Sequence, residues 1–261
     1  MVSIRTVPCA AILCAVGALA AGQETTVARG SVPPAETRAV EPPAKPVTPE
    51  VRGDIFMARK MYREAIEIYK PLLLKSPIIH NKVGIAYHQT GDLESARRYY
   101  ERAIRLDSKY AEAINNLGTI HYARKSYRRA VSQYQKALRL TPNSASIHSN
   151  LGTAYFARRN YREASAAYQR ALELDPEVFE HRNSAGVLLQ ERTVEERAKF
   201  YFYMAKTYAK AGVQERALIY IRKALEEGFK EKTRFVEDAD FASLQELPEF
   251  KDLMTRQTRV L

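Results

Sequence analysis

Five histidines and two cysteines are the residues of this chain best suited to nucleophilic, acid–base or metal chemistry, and their placement argues against all three. His80, His88, His121, His148 and His181 are scattered, without the i, i+4 pair that a helical zinc site uses. Cys9 and Cys14 stand apart from every histidine, inside the first twenty residues. The sequence contains no glycine-rich phosphate loop, no nucleophile elbow and no metal-carboxylate loop. It is therefore expected to have no catalytic residues, no metal and no cofactor.

Two other residue classes recur at fixed spacing, and their chemistry is binding. Asn116 and Asn150 each precede Leu-Gly at an interval of 34 residues. An amide side chain donates to a carbonyl and accepts from an N–H at once, so a row of them suits gripping a peptide backbone. Arg59, Lys60 and Arg63 correspond to Arg124, Lys125 and Arg128, and these to Arg158, Arg159 and Arg162. Nine cations at equivalent places attract an anionic partner. A solvated, solubilising edge is the plainer reading of the same residues.

The element that positions both sets is a repeat. Leu117-Gly118 returns as Leu151-Gly152, Ala130 as Ala164, Tyr134 as Tyr168, Ala137-Leu138 as Ala171-Leu172 and Pro142 as Pro176, all 34 residues apart. Val83-Gly84, Tyr87, Ala96, Tyr100 and Ala103 keep the register upstream; Gly53, Phe56, Ala65, Tyr69, Leu72 and Pro77 form a still earlier copy. This pattern resembles the tetratricopeptide repeat family, and in particular its exported bacterial members. The resemblance implies an all-α fold, a right-handed α-α superhelix of antiparallel helix pairs with a short helical C-terminal cap. Small residues such as Gly118 are then expected to face Ala130 across the pair, with Tyr134 and Tyr168 filling the space between repeats. The copies run 46–76, 77–110, 111–144 and 145–178. A fifth departs from the pattern near Glu191, and Thr193 with Glu196 reads as a capping box opening a further pair to about residue 228. A bend or extra helix is expected at 187–197.

In such a stack the first helices line the concave face, where the family holds extended peptides or partner helices. The register places Asn81, Ile85 and His88 there, with Asn115, Asn116, Thr119, Tyr122, Ser149, Asn150, Thr153, Phe156 and Asn183. The asparagine row is expected to be two rungs long, because Lys82 and Ser184 occupy the flanking equivalents; Lys82 alone hints at a carboxylate clamp. The basic trios fall in the turns between the helices of a pair.

The termini supply the rest. Arg5 followed by an uncharged apolar run from Val7 to Ala21, ending in Ala18-Leu19-Ala20, has the layout of a signal peptide over residues 1–20. Its removal leaves a chain without cysteine and without a membrane span, exported to a bacterial periplasm or cell envelope; retention as an anchor is the other reading. Residues 21–50 carry Pro33, Pro34, Pro42, Pro43, Pro46 and Pro49 and read as a disordered linker. The repeat domain is then 51–228 and the cap 229–261, with Phe241, Leu244, Leu247, Phe250 and Leu253 covering the last repeat. The net charge of +11 is uneven: residues 51–170 hold 22 basic and 9 acidic side chains, a balance of +13, and residues 171–261 hold 15 and 17, a balance of −2. The expected partner is a protein or peptide, with an anionic envelope component as the alternative. Export argues against nucleic acid.

Overall fold

A computed structural model of the chain describes residues 47–74, 76–179 and 193–255. The expected leader, the proline-rich stretch up to residue 46, Asn183 and the bend over 187–192 lie outside the described residues. All regular elements among the described residues are helical. They form pairs: α1 (Pro49–Ala58) with α2 (Tyr62–Tyr69), α3 (Pro77–Gln89) with α4 (Leu93–Leu106), and α5 (Ala111–Ala123) with α6 (Tyr127–Leu140). Next come α7 (Ala145–Ala157) with α8 (Tyr161–Leu174), then α9 (Val194–Lys210) with α10 (Gln214–Glu226). The tail adds α11 (Arg234–Glu237), a 3-10 segment (Ala239–Leu244) and α12 (Pro248–Thr255).

Local chemistry sets these boundaries. Ser76 accepts from the Ile79 N–H at 3.2 Å and Asp92 from the Ser95 N–H at 2.9 Å, capping α3 and α4. Thr193 and Glu196 make a reciprocal capping box at the start of α9, as their spacing suggests. Pro49 and Glu50, the last two residues of the stretch expected as linker, belong to α1: Thr48 caps it and Pro49 occupies its first turn, where a missing N–H costs nothing.

Each of the first four pairs closes on one contact. A Cβ built on Gly53, Gly84, Gly118 or Gly152 would lie 2.4, 2.6, 2.7 or 2.6 Å from a ring carbon of Tyr69, Tyr100, Tyr134 or Tyr168. The ring that meets each glycine thus belongs to the tyrosine sixteen residues later, in the same pair, and the expected place of the tyrosines between repeats holds as well: Tyr134 clusters with Ile147, Leu151 and Ala154 of the next pair, and Tyr168 meets Phe179 and Phe200 at 5.5 and 6.1 Å. In the last pair Ala205 and Ile221, both fully buried, take these two places: a larger first-helix residue with a smaller partner. Three of the four hydroxyls are anchored too: Tyr69 donates to Asp54 at 2.5 Å, Tyr134 to Thr119 at 3.4 Å and Tyr168 to Thr153 at 3.2 Å.

Between pairs, one register on each inner first helix is buried: Ile79, Val83 and Ala86 on α3; Ala113, Leu117 and Ile120 on α5; Ile147, Leu151 and Ala154 on α7. The same register on α1 and its N-cap holds Thr48, Arg52 and Ile55, all exposed. At the other end Phe202 stacks on Phe229 at 4.7 Å and meets Phe235 at 5.2 Å and Phe241 at 5.7 Å, while Leu244, Phe250 and Leu253 are buried over α9 and α10. Successive first helices touch, α3 with α5 and α5 with α7, more closely than successive second helices do, so the first helices form the inner side of the curve.

A charge clasp also ties the tail to α9. Lys206 Nζ lies 2.5 Å from Asp238 and 3.0 Å from Asp240. Burial alone would raise the Asp238 pKa, yet the hydrogen bonds from Lys206 and from the Asp240 N–H hold it below the usual value. Burial would likewise lower Lys206, but its two carboxylate partners keep it raised. A depressed carboxylate stabilises above its unfolded pKa and loses that contribution as pH falls; a raised lysine loses its own only at alkaline pH. Hydrogen exchange over residues 229–255 is therefore expected to show constant protection from about pH 5 to 9 and a loss of about 1–2 kcal/mol on acidification below about pH 4. Lys206→Met should shrink the acid step, leaving the part due to the Asp240 N–H.

Candidate functional site

The inner face carries a continuous row of amides. Asn150 Nδ2 donates to Asn115 Oδ1 at 3.0 Å, Asn115 Nδ2 to Asn116 Oδ1 at 3.3 Å, Asn116 Nδ2 to Asn81 Oδ1 at 3.0 Å, and Asn81 Nδ2 to Glu112 at 2.9 Å. The residue at the sixth place of one repeat reaches the fifth place of the repeat before it. Lys82 follows the same rule, donating to Glu50 at 2.8 Å, and it also bonds Asp54 at 2.8 Å. The seam is therefore three rungs long instead of two, its first rung ionic. Lys82 is engaged by two carboxylates and is no free carboxylate clamp.

Four residues expected on the open inner face are buried. Asn81 lies beneath Asn116, Tyr110 and Glu112; Thr153 accepts the Tyr168 hydroxyl and donates to the Ser149 carbonyl, and Ser149 is covered with it. Phe156 sits in the core against Tyr161, Phe200 and Tyr203, with centroids 5.2, 5.6 and 6.0 Å away. These are side chains of the scaffold. Asn115, Asn116, Thr119, Tyr122 and Asn150 are partly exposed and adjacent, which leaves a shorter, denser surface on α5 and α7.

The basic trios lie at the turns from first to second helix. Each turn has one residue in the left-handed region: Lys60 at φ +60°, Gly91 at +83°, Lys125 at +58°, Arg159 at +63° and Gly212 at +75°. The N–H of that residue bonds a carbonyl three back and the next N–H a carbonyl five back, as in Lys125 to Tyr122 at 2.8 Å and Ser126 to His121 at 2.8 Å, so the turns share a Schellman geometry. Glycine fits this conformation freely, whereas a side chain costs about 1 kcal/mol. Lys125→Gly and Arg159→Gly are accordingly expected each to raise unfolding stability by about 0.5–1 kcal/mol in urea denaturation. Arg59, Arg63, Arg128 and Arg162 are exposed and Arg158 partly so. Arg124 bridges back to Glu94, whose carboxyl is held at about 2 by hydrogen bonds from Arg97 and Arg124, so it links two repeats instead of standing free.

One feature escaped the sequence because it joins distant segments. A cleft of about 430 Å³ opens between α8, α9 and the tail, lined by Tyr161, Arg162, Tyr203, Lys206, Lys210 and Arg234 among others. Tyr161 and Tyr203 stack there at 4.7 Å. Asp240 also lines it and neutralises part of its charge.

The sequence pattern described as TPR repeat matches residues 84–124 and 118–158, and that described as Tetratricopeptide repeat matches residues 145–178. The chain is 33% identical over 102 residues to a heat-shock protein cognate co-chaperone of Aspergillus fumigatus, covering 36% of this chain and 30% of that protein. It is 29% identical over 82 residues to the uncharacterized protein ycf37 of Porphyra purpurea, covering 29% of this chain and 47% of that protein. It thus spans less than half the length of these curated relatives. A solved thermophilic TPR protein of Thermus thermophilus is similar with a TM-score of 0.48 and 20% identity, over 75% of this chain and 96% of that one. The matched patterns show that residues 84–178 are built of tetratricopeptide repeats, and the same helix pair with its glycine–tyrosine contact is present in each of the first four pairs.

Proposed function

We propose that this chain is a non-catalytic scaffold that holds an extended peptide segment of a partner protein along its first helices, centred on α5 and α7. The amide seam carries the reading. Asn115 and Asn116 each use one N–H and one lone pair within it, and an amide has two of each, so each keeps one donor and one acceptor for a ligand. The internal bonds also fix the rotamers beforehand, which lowers the entropy lost on binding. Thr119 and Tyr122 flank the row and supply a hydroxyl and a ring. The leader-like N-terminus adds export to a bacterial periplasm or envelope, where a mature chain without cysteine is at home.

Peptide display against the full chain tests this reading. Selected peptides are expected to lose at least about tenfold in affinity on Tyr122→Ala and on Asn150→Ala, which leaves Asn115 Oδ1 to water. Thermal unfolding should move by only a few degrees. Unchanged binding by both variants would refute the seam as the site.

A further inference from the structure

The three left-handed cations require an explanation that the fold does not provide. Gly91 and Gly212 show that the same turn is built with glycine, yet Lys60, Lys125 and Arg159 keep a side chain where it is strained. Helix polarity favours a cation at this end of a first helix, but Arg59, Arg124 and Arg158 at the preceding position already meet that demand without strain. All three tips are exposed; Lys60 and Lys125 make no side-chain hydrogen bond or ion pair among the described residues, and Arg159 adds only its charge to the field of Lys199 and Lys230 that lowers the Glu195 pKa. Strain that persists for so small a structural return points outward, to a ligand.

We propose that these three tips are the contact points of a docking edge for a planar anionic lipid surface, independent of the peptide reading above. The edge is made of turn tips and has no walls, so its ligand must itself present many anions at the spacing of whole repeats. The second repeat decides between a strand and a plane. A linear polyanion running from Lys60 to Lys125 would cross the Gly91 turn, which offers no cation and is followed by Asp92 and Glu94. A flat surface needs only separate points of contact, and the Gly91 tip between Lys60 and Lys125 presents no side chain to it.

The test is flotation of the full chain with phosphatidylcholine vesicles, with and without phosphatidylglycerol, the zwitterionic vesicles giving the contribution of the apolar N-terminal run. Each basic residue near an anionic bilayer is worth about fivefold in affinity, so Lys60→Gly/Lys125→Gly/Arg159→Gly is expected to lose about 100-fold of the preference for anionic vesicles. The same variant should melt at a higher temperature than the parent, which separates lost docking from lost folding. Three results would overturn the proposal: wild-type preference in the triple variant, equal binding of the parent to both vesicles, or tighter binding of the parent to poly-glutamate than to anionic vesicles.

Discussion

Tyr134→Ala is expected to cost about 3–5 kcal/mol of unfolding stability, and in its presence Gly118→Ala should change sign. The ring is buried against Gly118 of its own pair and in one cluster with Ile147, Leu151 and Ala154 of the next, so its removal leaves a cavity that the helices around it cannot close. In the parent, the Cβ of Gly118→Ala would fall 2.7 Å from that ring. The overpacking costs about 1–3 kcal/mol against about 1 kcal/mol gained in helix propensity, so the net effect is loss. With the ring gone the overpacking vanishes and the propensity gain of about 1 kcal/mol remains. A double-mutant cycle in urea reads the difference directly as coupling between the two positions. The pair Ala205 and Ile221 is the natural version of such an exchange, and both are fully buried.

Phe202→Ala is expected to release the tail and to cost a further about 3–5 kcal/mol. Phe202 is fully buried and touches Phe229, Phe235 and Phe241, while the Arg234 guanidinium lies 4.4 Å over its ring. One truncation therefore removes the floor of the whole cap. The repeats before α9 do not depend on it, because stability in a stack of repeats is local. Hydrogen exchange should show residues 229–255 losing protection while α3 to α6 keep theirs.

The repeat was legible because close packing restricts residue type. Gly53, Gly84, Gly118 and Gly152 recur since a tyrosine ring lies on each, and a periodic restriction leaves a periodic sequence. The ring as partner was not legible, because Ala130 and Tyr134 recur with the same period and the sequence does not say which one meets the glycine. The seam was hidden for a related reason: Asn116 and Asn150 bond residues 35 positions earlier, one more than the repeat. Reading equivalent positions aligns Asn116 with Asn150 and overlooks Asn81 and Asn115 as their partners. Phe156 was assigned to the open face by its register, but α9 follows the interruption of the pattern and lays Phe200 and Tyr203 against it. Thr153 is taken under cover by the Tyr168 hydroxyl, a contact between two helices that a single-helix register does not display. The left-handed turns were visible as an alignment of Gly91 and Gly212 with Lys60, Lys125 and Arg159; their strain needed φ.

The claim that a partner lies along the first helices is tested most directly by site-specific photo-crosslinking in the native cell. A photoreactive residue replacing Tyr122 on α5 is compared with one replacing Ser132, which is exposed on the second helix of the same pair. The account predicts a discrete protein adduct from position 122 that is absent from position 132 and disappears with Asn150→Ala. Adducts from position 132 with none from position 122 would contradict it.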